Sequence, residues 1–189
     1  MNNKLINIAG ICDVCKLELH DNDSWTEISI PENLILPKEK PDIEQINSVN
    51  VVVRIIRTKV VVTPNTDKSP NFEGHLLTGR KLIVEGELCQ TITYTADFCN
   101  QPVHSAHFAV PFSAYIVIPK HVKIVEECNC CTRKIDSLFV NFQVDACVED
   151  VFIQEISKRR IFKNVLLFLQ AVPTTNNDCG NMCSPNKDI

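Results

Sequence analysis

Hydrophobic side chains recur at every second position along most of this chain, and that period of two limits its fold more than any other feature. In "LIVEGELCQTITYTA", residues 82–96, Leu82, Val84, Leu88, Ile92, Tyr94 and Ala96 share one parity, while Glu85, Glu87, Thr91, Thr93 and Thr95 share the other. In "LFVNFQVDACVE", residues 138–149, Leu138, Val140, Phe142, Val144, Ala146 and Val148 form the apolar parity against Asn141, Gln143, Asp145 and Glu149. Successive side chains of a strand point to opposite faces, so this alternation predicts half-buried antiparallel strands. It predicts in particular that Leu138, Val140, Phe142 and Val144 are buried together.

Runs at 49–62 and 160–172, rich in Val, Ile, Leu and Phe, predict further strands. Residues 103–118 alternate too, and Pro111 within them points to a bulge or an edge strand. Helix signals are sparse. "KPDIEQI" at 40–46 could open a turn or two with Asp42 near an N-cap, and "VEDVFIQEISKRR" at 148–160 fits neither period cleanly. Roughly eight strands without a βαβ pattern predict one all-β domain, an antiparallel β-sandwich or jelly roll. The division follows as an N-terminal arm over 1–24, a domain over 25–172 and a C-terminal tail over 173–189.

The core is not starved, since 44% of the residues are hydrophobic and a chain of this size buries roughly 70% of its unfolded surface. Cysteines are therefore not needed as staples for a miniature fold. The net charge of −4 argues against a nucleic-acid surface, and the short basic cluster "SKRR" at 157–160 reads as a solvated face. No apolar run approaches the roughly 20 residues of a membrane helix. The segment "MNNKLINIAGIC" lacks the apolar stretch and cleavage site of an export signal and reads as part of the mature protein.

Against this background the chain carries ten cysteines. Alternation places Cys89 with Glu85, Glu87 and Thr91, and Cys147 with Asn141, Gln143 and Asp145, on water-facing sides where a thiol is reactive. The rest sit in arms and connections. Cys12 and Cys15 form a CxxC in the arm, Cys99 follows a strand, Cys128, Cys130 and Cys131 form "CNCC", and Cys179 and Cys183 lie in the tail. Three chemistries compete. Zinc would need matched pairs, and these are unequally spaced. A redox CxxC would need a following helix, and none is predicted. Disulfide cross-linking, within or between chains, suits cysteines on arms and outer faces. The pairing itself stays open.

The histidines of "HSAHF" do not make a site by spacing. His104 and His107 are three apart and so point to opposite faces of a strand. His104 shares its parity with Ala106, Phe108, Val110 and Phe112, which predicts a core histidine. No hydrolase, zinc-protease or nucleotide-binding motif appears. No catalytic residue, cofactor or metal ligand is assigned.

Four stretches together, "KPDIEQI", "NFEGHLLTGRKLIVEGEL", "VHSAHFAVPFSAYIVIP" and "RIFKNVLLFL", resemble the SPOCS domain of spore-forming clostridia, from about Trp25 to Val172. That family includes single-domain proteins and an adaptor with a peptidoglycan-binding LysM domain, which this sequence lacks. The resemblance implies a part in endospore envelope assembly and brings no catalytic residues. It implies synthesis in the mother-cell cytoplasm and a final place at the spore surface, in coat, exosporium or appendage. The expected role is a self-assembling structural subunit whose partner is itself, with other spore coat proteins as further partners. In that role Cys12 and Cys15 of one copy would bond to strand thiols such as Cys89 and Cys147 of another. The alternatives are a non-polymerising adaptor and, more remotely, a zinc-binding module.

Overall fold

The computed structural model describes residues 6–13, 23–66, 76–125 and 132–174. They form nine strands: β1 (Asn7–Ala9), β2 (Ser24–Ile35), β3 (Ile43–Asn65), β4 (Thr78–Ala96), β5 (Val103–Val117), β6 (His121–Val125), β7 (Thr132–Asp136), β8 (Asn141–Ser157) and β9 (Arg160–Thr174). One sheet runs β1-β3-β4-β5, a second runs β2-β9-β8, and β6 pairs with β7 alone. All pairings are antiparallel except β1 on β3. No α-helix occurs among the described residues, and the all-β expectation holds.

The two sheets share one core. In β4 the side chains of Leu82, Val84, Leu88, Ile92, Tyr94 and Ala96 are all buried, and β9 faces them with Ile161, Val165, Leu167, Leu169 and Ala171. These are the central strands of their sheets, so an inward side chain there has neighbours on both flanks and across the interface. That is why their apolar runs are the densest. Pro111 lies opposite Glu87 in β5, the outer strand of its sheet, in a ladder without a register shift. It marks an edge rather than a bulge.

The structure corrects the reading at four places. Within residues 40–46, strand β3 opens at Ile43 and no helix forms. Ile43 and Ile46 are both buried although three apart, because register shifts on either side of Gln45–Ile46 reset which face points inward. Asp42, the expected cap, instead binds the Arg159 guanidinium at 2.6 Å. The unclear stretch 148–160 is strand β8 followed by a tight turn into β9, and a shift between Val148 and Asp150 lets both Val148 and Val151 face the core. The basic cluster in that turn is paired rather than merely solvated: Lys158 binds Asp97, and Arg159 also donates to the carbonyls of Pro37 and Lys40.

The fourth correction concerns Leu138. It is 42% exposed, Val140 is buried, and Phe142 and Val144 are half-buried. The Asp136 carboxylate accepts the Leu138 amide at 3.0 Å and bends residues 137–139 into a 3-10 turn before β8 begins. The same carboxylate takes three hydrogen bonds from the buried Arg80, at 3.3, 3.1 and 2.9 Å, which ties the β6–β7 hairpin to β4.

Between Leu82 and Ala96, two positions break the apolar parity of β4. One is Gln90, which is buried and polar. The other is Gly86, opposite Phe112. A Cβ at Gly86 would lie 2.5 Å from the Phe112 ring and 2.8 Å from the Arg54 carbonyl. The ring of the neighbouring strand therefore fills the place that a side chain would take. Gly86→Ala is expected to lower the unfolding free energy by about 1–3 kcal/mol through overpacking. Adding Phe112→Leu should return part of it, read from urea midpoints. An unchanged midpoint for the single variant would show that the site has room.

Candidate functional site: the arm seat and its thiols

The N-terminal arm crosses from one sheet to the other. Ile6 and Ile8 pack against the core while Asn7 and Ala9 face water. Strand β1 lies parallel to the outer side of β3, with Asn7 opposite Ser48, Ile8 opposite Val49 and Ala9 opposite Asn50. Gly10 then passes Val51 at φ +95°, where a Cβ would sit 1.9 Å from the Val51 carbonyl oxygen. Only glycine takes that backbone so close to another. Beyond it Ile11 bridges Val148 in parallel, and the Cys12 amide donates to the Val148 carbonyl at 2.9 Å. A disulfide joins Cys12 to Cys147 with the Cα atoms 5.5 Å apart, inside the usual range for such bonds. Residues 6–12 thereby cover part of β3, at Ser48–Asn50, and touch β8 at Val148, each an edge of its sheet without the arm.

One sequence expectation changes here. Cys12, expected as a cross-linking cysteine, has Cys147 of the same chain as its partner in the single chain. The arm can make both contacts because the β3 and β8 edges lie close to each other. Cys147 was expected to face water and is 4% exposed. It stands opposite Phe168, whose ring stacks on Trp25 at a centroid distance of 5.8 Å, and the arm takes up more of its surface. In "KLINI", Leu5 lies outside the described residues, while Ile6 and Ile8 alternate with Asn7 as an edge strand does. The arm's docking on its own β3, and the need for Gly10 at the crossing, were not legible in the sequence.

Cys89 lies on the outer face of β4, part-exposed, as the alternation placed it. Cys99 is exposed in the connection from β4 to β5. These two cannot pair within the chain, since residues 89 to 96 of the strand alone extend about 23 Å, far beyond bonding range. Cys15, Cys128, Cys130, Cys131, Cys179 and Cys183 lie outside the described residues. Of the histidines, His104 is half-buried against Tyr94 with ring centroids 6.0 Å apart, and His107 is on the other face, bonded to Thr91 Oγ1 at 3.0 Å. Among the described residues no three His, Cys, Asp or Glu side chains gather as a metal site would require. No helix among them is long and apolar enough to cross a membrane.

Cys89 opens into a shallow depression of about 360 Å³ bordered by Val52, Thr91, His107 and Ala109. Its thiol donates to Glu87 Oε1 at 3.2 Å, and Glu87 is held by Arg54. That hydrogen bond to the carboxylate pushes the Cys89 thiol above its ordinary range, with desolvation adding to it and Arg54 pulling the other way. The thiolate is the reacting form, so Glu87 keeps the thiol slow to react.

Two packed sheets, one shared core and an arm that covers their edges define an all-β sandwich domain. Residues 42–154, more than half of the chain, match the family described as SipL, SPOCS domain, and the chain belongs to that family. Membership makes the protein sporulation-related. The match includes Cys89, Cys99 and Cys147 and leaves out β1, β2, β9 and Cys12. No curated protein and no solved structure matches the chain.

Replacing Glu87 by Gln removes the charge that opposes the Cys89 thiolate and leaves only a weaker, neutral acceptor for its proton. Alkylation of Cys89 at about pH 8 should then run several-fold faster, with Cys99 unchanged, as resolved by peptide mass spectrometry. Equal rates at Cys89 would mean that the carboxylate does not govern this thiol.

Proposed function

We propose that this chain is a structural, self-assembling subunit of the endospore surface, in a coat layer or an appendage fibre. In the assembly the arm of one copy occupies the edge seat of the next, and Cys12 bonds to Cys147 across the two copies. The observation that carries this reading is the seat itself. Every contact that holds the arm, from Ile6 and Ile8 through Gly10 to Cys12, is made with β3, β8 or the core, and none requires that arm and domain share a chain. The connection from Asp13 to Asp23 can span at most about 33 Å when extended, enough to lead onto the edge of an adjoining copy. Strand addition of this kind takes its affinity from backbone hydrogen bonds and its specificity from side-chain seats. Such a contact is head-to-tail and builds rings or open filaments.

The chemistry suits a protein made in a reducing cytoplasm and exposed to oxidant when the mother cell lyses. Docking then comes first and the covalent lock follows. Cys89 and Cys99 leave further thiols outside the closed arm. A second reading, a non-polymerising adaptor that recruits other coat proteins, is favoured by the arm's closure on its own chain.

Isotope mixing separates the two. Equal amounts of reduced 15N-labelled and unlabelled chain are mixed, oxidised and digested without reductant. Exchange of arms predicts that about half of the Cys12–Cys147 cross-linked peptides pair one heavy with one light partner. The adaptor reading predicts only heavy–heavy and light–light pairs, and that result would overturn the proposal.

A further inference from the structure

Three polar side chains meet inside the sandwich where all their neighbours are apolar. Lys163 on β9 and Glu32 on β2 are directly opposite in their ladder. Gln90 reaches them from β4 in the other sheet. Lys163 is 0% exposed, Gln90 2% and Glu32 6%. Along each strand the adjacent inward positions are hydrocarbon: Ile161 and Val165, Leu88 and Ile92, Ile30 and Leu34. A charged amine in such a place is costly unless its hydrogen-bonding capacity is filled. Here it is not filled. Lys163 Nζ stands 3.0 Å from Glu32 Oε2 without a well-directed hydrogen bond, and Gln90 Oε1 has no partner at all.

The arrangement brings together an amine, a carboxylate and a carboxamide, the groups that a condensation needs. Glu32 Oε2 touches the lysine nitrogen at 3.0 Å and the Gln90 amide nitrogen at 2.9 Å, and Oε1 takes a second hydrogen bond from that amide at 3.1 Å. The two nitrogens are therefore within about 6 Å of each other, with one carboxylate touching both. Burial pushes the Lys163 ammonium below the usual lysine range, against the pull of the Glu32 carboxylate. It thus favours the neutral amine, which is the nucleophilic form.

We propose that the fold itself joins Lys163 to Gln90 through an amide bond, with Glu32 as the proton carrier. Glu32 first takes a proton from Nζ, which leaves a neutral amine beside a neutral acid. Nζ attacks Cδ of Gln90 and forms the new C–N bond. Glu32 then gives its proton to Nε2 and recovers one from Nζ. As the tetrahedral centre collapses, the Cδ–Nε2 bond breaks and Nε2 leaves as ammonia. The products are one secondary amide, one ammonia and protonated Glu32, and no oxidant or outside reagent is consumed. The bond would tie the two sheets together through their central strands β4 and β9. Being an amide, it would survive reductants that open every disulfide in the chain.

Intact mass of the purified, fully reduced chain tests this directly. The expected result is a protein lighter than its sequence by one molecule of ammonia. Digestion should yield a branched peptide that links residues of β4 to residues of β9, with no tryptic cleavage after Lys163. Lys163→Arg and Glu32→Gln should each restore the full mass of their own sequence. The branched peptide is sought in the unmodified sequence, so the test stands even if a variant fails to fold. An intact mass equal to the sequence, or a loss of water in place of ammonia, would overturn the proposal.

Discussion

Any assembly built from this domain must deal with the pair of strand edges at one side of the sandwich. An uncovered edge strand presents a row of unpaired N–H and C=O groups and will take another strand if one is offered. Here β3 and β8 would both be such edges, and a seven-residue arm covers the middle of β3 and bridges β8 at one residue. The arm succeeds because its parts divide the work. Ile6 and Ile8 contribute apolar surface, Gly10 permits the close passage over Val51, and Cys12 closes the end covalently on β8. Since Ile6 and Ile8 pack against the core, the arm belongs partly to the domain and is more than an appendage to it.

Closure within the chain and exchange between chains use the same contacts, so their balance rests on entropy and concentration. The Cys12–Cys147 bond spans 135 residues. In the loop-entropy account, a closure of that length removes unfolded-chain freedom worth roughly 5 kcal/mol, an upper figure. An exchanged bond forgoes that intrachain constraint but ties one subunit to the next. The seat favours its own arm in proportion to the effective concentration that the tether imposes. On the proposed reading, a neighbour's arm would compete when subunits are held close. Oxidation then fixes whichever pairing exists at that moment.

The parts of this architecture that were legible in the sequence are those where the period of two runs without interruption. In β4 it assigned every inward apolar residue and the outward side of Cys89. It failed where bulges reset the parity, as at Ile43 to Ser48 and Val148 to Asp150, because an extra residue makes inward positions three apart and imitates another period. It failed at Leu138, where the Asp136 carboxylate accepts the amide two residues on and bends the chain out of the strand. Cys147 was misplaced because its burial depends on long-range partners, Cys12 and Phe168, that no local pattern encodes. The interior group of Glu32, Gln90 and Lys163 comes from three distant segments. Its local trace is one polar residue on the apolar parity of each strand: Gln90 between Leu88 and Ile92, Lys163 between Ile161 and Val165, and Glu32 between Ile30 and Leu34.

The account's central claim is that the arm seat accepts the arm of another copy. Sedimentation velocity on the reduced chain, oxidised slowly at a series of protein concentrations, tests it most directly. Closure within a chain does not depend on concentration, whereas exchange does. The account predicts a monomer after oxidation in dilute solution and, as concentration rises, progressively larger species that reductant disperses. A single monomer boundary at every concentration would contradict it.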